Sequence, residues 1–150
     1  MSKVARHVED AVAKGAQILV GGKRPDRPGS FYEPTVLSDV PGGPSTFFSQ
    51  EETFGPVAAL IKFESEKEVI EMANDSDVGL AGYFYSRDIG RIWRVAEALE
   101  VGMVGINTGI VANSSTPFGG VKESGLGREG GHGISEYMQD KILAFGGLNK

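Results

Sequence analysis

Residues 49–56 read Ser-Gln-Glu-Glu-Thr-Phe-Gly-Pro, and the rest of the chain is organised around them. Two adjacent carboxylates precede an aromatic ring, a glycine and a proline, and the stretch runs directly into the apolar residues 57–61. In open α/β sheets, loops at strand ends form the ligand crevice. A carboxylate that accepts bonds from a sugar diol, beside a ring that stacks on a heterocycle, would suit a nucleotide. The alternative is a solvated acidic loop whose phenylalanine packs in the core.

The first segment is predicted to be an amphipathic helix followed by a strand. Val4, Val8 and Ala11 recur at helical spacing, and Gly15 provides a stop before the apolar residues 16–20. His7 lies on this helix, and no second His, Asp or Glu stands at a metal-like spacing from it. We therefore interpret His7 as a surface residue and predict no metal site.

Beyond Pro56 the chain alternates strand-like and helix-like segments. The helices are marked by a capping box, Ser65 with Glu68, and by an apolar stripe that includes Trp93, which we expect in the core. This alternation predicts a parallel sheet with crossover helices. The predicted elements are a strand at 57–63, a helix after Ser65, a strand at 81–85, a helix at 89–99 and a strand at 101–106.

A glycine-rich segment, residues 125–130 (GLGREG), satisfies the dinucleotide pattern G-x-G-x-x-G by its letters alone. No strand precedes it, further glycines delay any helix, and Asp140 comes too early to be the ribose acid. We interpret it as a structural loop in which several positions need positive φ or close backbone approach.

Composition narrows the function classes. The chain has 150 residues, 40% hydrophobic and 23% charged, which is enough for a sizeable core. A net charge of -5 without a basic run argues against nucleic acid as a partner, and no apolar stretch approaches a membrane span. The acidic residues Glu9 and Asp10 lie close to the N-terminus, where a targeting signal would be apolar or rich in Arg and Ser. We expect a cytoplasmic protein, although a segment upstream of Met1 would carry any signal.

Several ordered motifs carry a family resemblance. Residues 29–37, 49–56, 101–107 and 116–130 together resemble the C-terminal part of the aldehyde dehydrogenase superfamily, essentially end to end. Residues 82–86, 105–109 and 122–130 look most like the succinate-semialdehyde dehydrogenase branch.

The resemblance implies a fold and an assembly. It implies an α/β fold with the parallel three-layer sheet of the family's catalytic domain, to whose C-terminal part residues 1–138 would belong. Residues 139–150 would form an oligomerisation strand and tail, because the family pairs its corresponding strand with another subunit. Residues 141–145 (KILAF) indeed read as a final strand, an edge that needs cover.

The resemblance also implies site residues. Glu52 would accept hydrogen bonds from the nicotinamide ribose of NAD or NADP, with Glu51 as its surface neighbour, and Phe54 would pack beside the nicotinamide. The substrate, a small aldehyde, would meet Phe118 in the tunnel and the loop at 107–117. In the succinate-semialdehyde branch a serine on this loop helps to anchor the far carboxylate; here Ala112 takes that position, and Ser114 or Ser115 is the substitute.

The chain contains no cysteine. The family's reaction uses a cysteine thiolate as nucleophile, so we expect no catalytic residue in this chain and no turnover by the chain alone. Two alternatives stay open. The chain could be a non-catalytic interaction module that joins full-length subunits, or a free-standing nucleotide-binding domain of another class, which the missing phosphate loop disfavours.

Overall fold

The computed structural model describes residues 2–147, which divide after Ser76 into two units. The first unit is built on a three-stranded sheet with β2 in the centre, antiparallel to β1 and parallel to β3. Its elements are α1 (Ser2–Ala13), β1 (Gln17–Val20), β2 (Thr35–Ser38), α2 (Phe47–Gln50), β3 (Val57–Ala59) and α3 (Glu66–Asn74), with a 3-10 turn at Gly43–Ser45.

The core of the first unit lies under α1. The predicted apolar stripe is confirmed, since Val4, Val8 and Ala11 are buried against Leu37 of β2. A cluster of this kind stabilises the unit because each large apolar side chain contributes about 1.5–3 kcal/mol on burial. The buried face of α1 therefore faces the elements that lead into and out of residues 49–56.

The second unit contains two small sheets. β5 and β6 pair in parallel and are joined through α4, whereas β4 and β7 pair antiparallel. The elements are β4 (Val78–Gly79), β5 (Ala81–Phe84), α4 (Ile89–Ala98), β6 (Met103–Ile106) and β7 (Val121–Lys122), followed by a 3-10 turn at Gly133–Tyr137.

The helix starts follow the capping rules. Ser65 Oγ accepts from the Glu68 N–H while the Glu68 carboxylate accepts from the Ser65 N–H, so the predicted capping box of α3 is confirmed. Asp88 caps α4 by accepting from the Arg91 N–H at 2.9 Å. Both caps satisfy backbone donors that have no partner within the helix.

The predicted parallel sheet is only partly observed. The architecture is mixed α/β, but parallel pairs occur together with antiparallel ones, and the strands are distributed over three small sheets. The strand predicted at 57–63 is confined to Val57–Ala59 and pairs with β2. The β-α-β-α-β pattern predicts the order of elements, whereas strand pairing depends on which edges meet in space.

The prediction that Trp93 belongs to the core is wrong, because its side chain is 64% exposed. In α4 the buried residue is Val95, and Ile89 is also exposed. Helical spacing shows which residues share a face of α4, but burial of that face requires a second element packed on it.

Residues 141–145, predicted as a final strand, do not form one within the described part of the chain. Residues 141–147 adopt neither helix nor strand, and Ile142 and Phe145 are 92% and 77% exposed. Residues 148–150, the end of the predicted oligomerisation strand and tail, lie outside the described residues. A strand requires a neighbouring edge for its backbone hydrogen bonds, and no described strand of this chain pairs with 141–147. The boundary predicted between residues 138 and 139 stays a prediction.

Within residues 2–147, no helix has both the length and the apolar character needed to cross a membrane. Nor do three or more His, Asp or Glu side chains come together there in a group that could hold a metal ion.

Candidate functional site

The segment 47–55 carries two of the predicted site residues and is fastened to α1. Asp10 accepts a hydrogen bond from the N–H of Phe47, the first residue of α2, at 3.0 Å. The guanidinium of Arg6 donates to both carboxylate oxygens of Glu51, at 2.9 and 3.2 Å. One helix thus fixes both the beginning and the middle of the segment.

His7 is the centre of this attachment. It is fully buried, and its Nδ1 lies 2.9 Å from Thr53 Oγ1 while Nε2 lies 3.4 Å from Glu51 Oε2. The ring also stacks on Phe47 at 5.5 Å and meets the edge of Phe48 at 5.6 Å. The interpretation of His7 as a surface residue is therefore wrong. A signal was present, because His7 stands three residues after Val4 and four before Ala11, on the apolar stripe of α1.

Alternation of side chains along the segment separates anchors from exposed groups. Glu51 has extended backbone, and it and Thr53 are directed to α1. Glu52 and Phe54 are exposed, Phe54 to 86% and with a positive φ of 49°. The alternative in which the phenylalanine packs in the core is therefore wrong. Sequence reasoning identified the two exposed residues but missed the anchors.

Glu51, predicted as a surface neighbour of Glu52, is partly exposed and also anchors the segment to α1. Desolvation acts to raise the pKa of Glu51, but the hydrogen bond with His7 and the charges of Arg6 and Lys3 outweigh it, so the pKa lies below its ordinary value. The Glu51 carboxylate is therefore ionised at neutral pH and its side chain is already committed within the chain. Glu52, beside it, makes no hydrogen bond or ion pair with any described residue.

These residues fit one part of a dinucleotide. A free carboxylate can accept two hydrogen bonds from a vicinal diol, and an exposed ring can pack on a planar heterocycle. Glu52 and Phe54 supply these groups two positions apart. The segment 125–130, whose letters match the dinucleotide pattern, is a loop in which three glycines have positive φ, as predicted.

The predicted substrate loop, residues 107–117, begins at a side-chain clamp in the second unit. Asn107 has a positive φ of 55°, its Oδ1 accepts from the Ser86 N–H, and its Nδ2 donates to the Ser86 carbonyl, both at 2.8 Å. Asn107 N–H also donates to Phe84 O at 3.0 Å. The side chain thereby continues the β5–β6 pairing by one step and fixes where the loop departs.

A turn around Asn113 decides which hydroxyl is available. Asn113 Oδ1 accepts from both the N–H and the Oγ of Ser115, at 2.9 and 2.8 Å, so the Ser115 hydroxyl is engaged. Ser114 is exposed and its hydroxyl has no partner among the described residues, while Ala112 is exposed and offers only a methyl group. Of the two serines left open by the sequence, Ser114 is the one with a free donor.

Phe118 is held by the glycine-rich loop. It forms a two-bond antiparallel bridge with Glu129, at 2.7 and 2.8 Å, and is half-buried. Arg128 ties the loop by donating to the carbonyls of Gly120 and Gly127, at 2.7 and 2.8 Å. At Gly131, whose φ is 50°, a Cβ would lie 2.9 Å from Pro117 N. Glycine is therefore required for the loop to approach the backbone of Pro117 this closely.

The sequence profile of the aldehyde dehydrogenase family matches residues 1–143. The chain belongs to the aldehyde dehydrogenase family. This confirms the resemblance carried by the motifs. Glu52 and Phe54 lie in the first unit, whereas Ala112, Ser114 and Phe118 lie in the second. The roles of these residues remain predictions.

Relatives of known activity extend the family assignment. The chain is 57% identical over 149 residues to a mitochondrial succinate-semialdehyde dehydrogenase of Rattus norvegicus, covering 99% of this chain and 28% of the relative. It is 53% identical to a glutarate-semialdehyde dehydrogenase of Pseudomonas aeruginosa (99% and 30%), and 52% identical to the succinate-semialdehyde dehydrogenase [NADP(+)] of Escherichia coli (97% and 30%). The chain thus spans less than a third of these relatives.

A solved structure agrees with the fold. The crystal structure of succinate-semialdehyde dehydrogenase from Burkholderia pseudomallei superposes with a TM-score of 0.87 at 59% sequence identity. The match covers 91% of this chain and 28% of that chain.

Proposed function

We infer that this chain supplies the C-terminal part of an NAD(P)-dependent aldehyde dehydrogenase that oxidises a small semialdehyde, succinate semialdehyde in first place, to the carboxylic acid. The observation that carries this inference is the arrangement of residues 51–54. Glu51 and Thr53 are committed to α1, whereas Glu52 and Phe54 are free and exposed on the same short segment. This division leaves a carboxylate and an aromatic ring, two positions apart, available to a ligand.

The two exposed residues suit the nicotinamide half of the cofactor. The Glu52 carboxylate would hold the ribose hydroxyls, and Phe54 would limit the sliding of the attached ring. NAD or NADP, when bound there, would supply the acceptor for a hydride from the substrate carbon. The contribution of Glu52 and Phe54 would be to hold the ring in position, and such positioning contributes mainly in the transition state.

The substrate end is assigned to the loop in the second unit. Succinate and glutarate semialdehydes both carry a carboxylate at the end far from the aldehyde. A hydroxyl group near that end could donate a hydrogen bond to the carboxylate of either substrate. The free hydroxyl of Ser114 is the candidate donor, Ala112 leaves room beside it, and Phe118 would line the apolar path to the aldehyde. The similarity to both kinds of semialdehyde dehydrogenase supports this class of substrate.

The test uses the chain alone and in a complete enzyme. Replacing the matching segment of the Burkholderia pseudomallei enzyme with residues 1–150 should give a protein that reduces NAD or NADP with succinate semialdehyde. The isolated chain, which lacks cysteine, should give no reduction above the blank. Turnover by the pure isolated chain, or a folded hybrid that binds dinucleotide but never oxidises semialdehydes, would contradict the proposal.

Assembly and location follow from the same proposal. The intact enzyme would be a cytoplasmic homo-oligomer in which residues 139–150 add to a sheet of another subunit. The exposure of Ile142 and Phe145 supports this, because neighbouring exposed apolar side chains are typical of a surface that is buried against another protein. The same exposure favours a second candidate function, a non-catalytic module that joins full-length subunits. Size-exclusion chromatography of the chain with and without the full-length Burkholderia enzyme distinguishes the two, since only the module should enter that oligomer.

A further inference from the structure

We propose that His7 is a positioning residue, which holds residues 51–54 so that Glu52 and Phe54 present a fixed surface to the cofactor. This rests on the proposed function of Glu52 and Phe54. His7 lies on the buried face of α1, and its ring nitrogens contact Glu51 and Thr53.

The geometry supports a holding role through two partners. In the neutral imidazole one ring nitrogen donates and the other accepts. Nε2 as donor to the Glu51 carboxylate and Nδ1 as acceptor from the Thr53 hydroxyl satisfy both ring nitrogens and both partners. Because residues 51 and 53 are one position away from Glu52 on either side, holding both of them fixes the direction of the residue between them.

Burial makes this attachment specific. His7 is fully buried, and aromatic rings meet it on two sides, Phe47 by stacking and Phe48 by its edge. Packing on two sides restricts rotation of the ring and keeps Nδ1 beside Thr53 and Nε2 beside Glu51. Arg6 also bonds Glu51, but its side chain is 54% exposed and it reaches only one of the two anchors. His7 is the described residue that joins Glu51 to Thr53.

The first test measures motion in the full 150-residue chain. His7→Phe keeps an aromatic ring between Phe47 and Phe48 but deletes both hydrogen bonds. Backbone ¹⁵N order parameters of Glu52, Thr53 and Phe54 should fall from about 0.85, typical of a rigid backbone, to below about 0.6. Thr53→Val deletes one of the bonds from the other partner and should lower the same values without a change in α1.

A matched control separates positioning from loss of stability. Val8→Ala removes apolar atoms from the buried face of the same helix and no hydrogen bond. It should lower the unfolding midpoint but leave the order parameters of residues 52–54 unchanged. If Val8→Ala loosens these residues as much as His7→Phe and Thr53→Val do, or if all three leave them rigid, the holding role is wrong.

The second test uses the Burkholderia hybrid and readouts that a purely structural role would not move. His7→Phe should lower kcat by on the order of tenfold while the Kd of the dinucleotide changes less than about threefold. His7→Gln, whose amide can donate to Glu51, should recover part of kcat. An equal fall for both variants, or a loss confined to dinucleotide affinity, would overturn the proposal. An inactive hybrid would contradict the proposed function alone, since the order parameters are measured without cofactor.

Discussion

Gly55 packs directly against Val4 of α1: a Cβ placed on Gly55 would lie 2.5 Å from Val4 Cγ2. Real Cβ atoms do not approach so closely. The glycine therefore allows the segment that carries Glu52 and Phe54 to pack closely against α1. This contact is at the C-terminal end of the segment, and the hydrogen bond between Asp10 and Phe47 is at its N-terminal end.

Gly55→Ala should therefore destabilise the first unit. The added methyl group must displace Val4 from the core, and overpacking of this kind costs about 1–3 kcal/mol. Urea denaturation measures the change in free energy of unfolding. Gly146→Ala is the control, because nothing lies within 4 Å of its Cβ position. Combining Gly55→Ala with Val4→Ala should recover part of the loss; a double variant as unstable as the sum of the two would contradict this packing argument.

Glu51→Gln should make the free energy of unfolding depend less on pH in the acidic range. The pKa of Glu51 is lowered in the folded protein, so its ion pairs stabilise the fold above the unfolded value of 4.5 and are lost as the pH falls through the folded value below it. The difference in urea midpoint between wild type and Glu51→Gln should be present at pH 7 and shrink below pH 4.5. Glu52→Gln, which removes no ion pair, should show little difference at either pH. A gap for Glu51→Gln that stays constant with pH would exclude its charge as the cause.

Glu52→Gln should slow chemistry more than it weakens cofactor binding. In the Burkholderia hybrid, the rate of the pre-steady-state burst of reduced cofactor should fall by about tenfold or more, because ring position matters most in the transition state. Glu64→Gln, a change at an exposed carboxylate paired with Lys62, is the control and should leave the burst unchanged. An unaltered burst in Glu52→Gln would remove this residue from the cofactor site.

Ser114→Ala should weaken binding of the substrate carboxylate. The KM for succinate semialdehyde should rise by about tenfold, the effect of losing one charge-assisted hydrogen bond, with little change for an aliphatic aldehyde that has no carboxylate. Ser115→Ala is the matched control, since its hydroxyl is already bonded to Asn113. If both variants, or neither, discriminate between the two aldehydes, Ser114 is not the anchor.

Deletion of residues 141–150 from the hybrid should shift it to smaller species in analytical ultracentrifugation while far-UV circular dichroism stays nearly unchanged. Each large side chain buried at an interface contributes roughly 1.5–3 kcal/mol, so loss of Ile142, Leu143 and Phe145 is enough to govern assembly. Deletion of residues 146–150 alone keeps these three and should preserve the oligomer. A full oligomeric mass at low micromolar concentration after the longer deletion would place the interface elsewhere.

Local patterns predicted local structure well. The stripe of Val4, Val8 and Ala11 gave α1, and Ser65 with Glu68 gave the start of α3. The positive φ values in the segment 125–130 were foreseen from its glycines. Each of these features depends on hydrogen bonds and packing between residues close in the chain, and so the amino-acid order contains the information.

The sequence by itself determined the family, and it identified Glu52 and Phe54 as candidate site residues, because motif order and residue type can be read from it directly. The structure decided that Phe54 is exposed and does not pack in the core. Only the tertiary structure decided that His7 is buried, that Trp93 is exposed and that Ser115 is engaged while Ser114 is free. Periodicity fixes which side chains share a face, but burial depends on whether another element covers that face. Residues 141–147 show the same limit, because a strand forms only where a second edge accepts its backbone bonds.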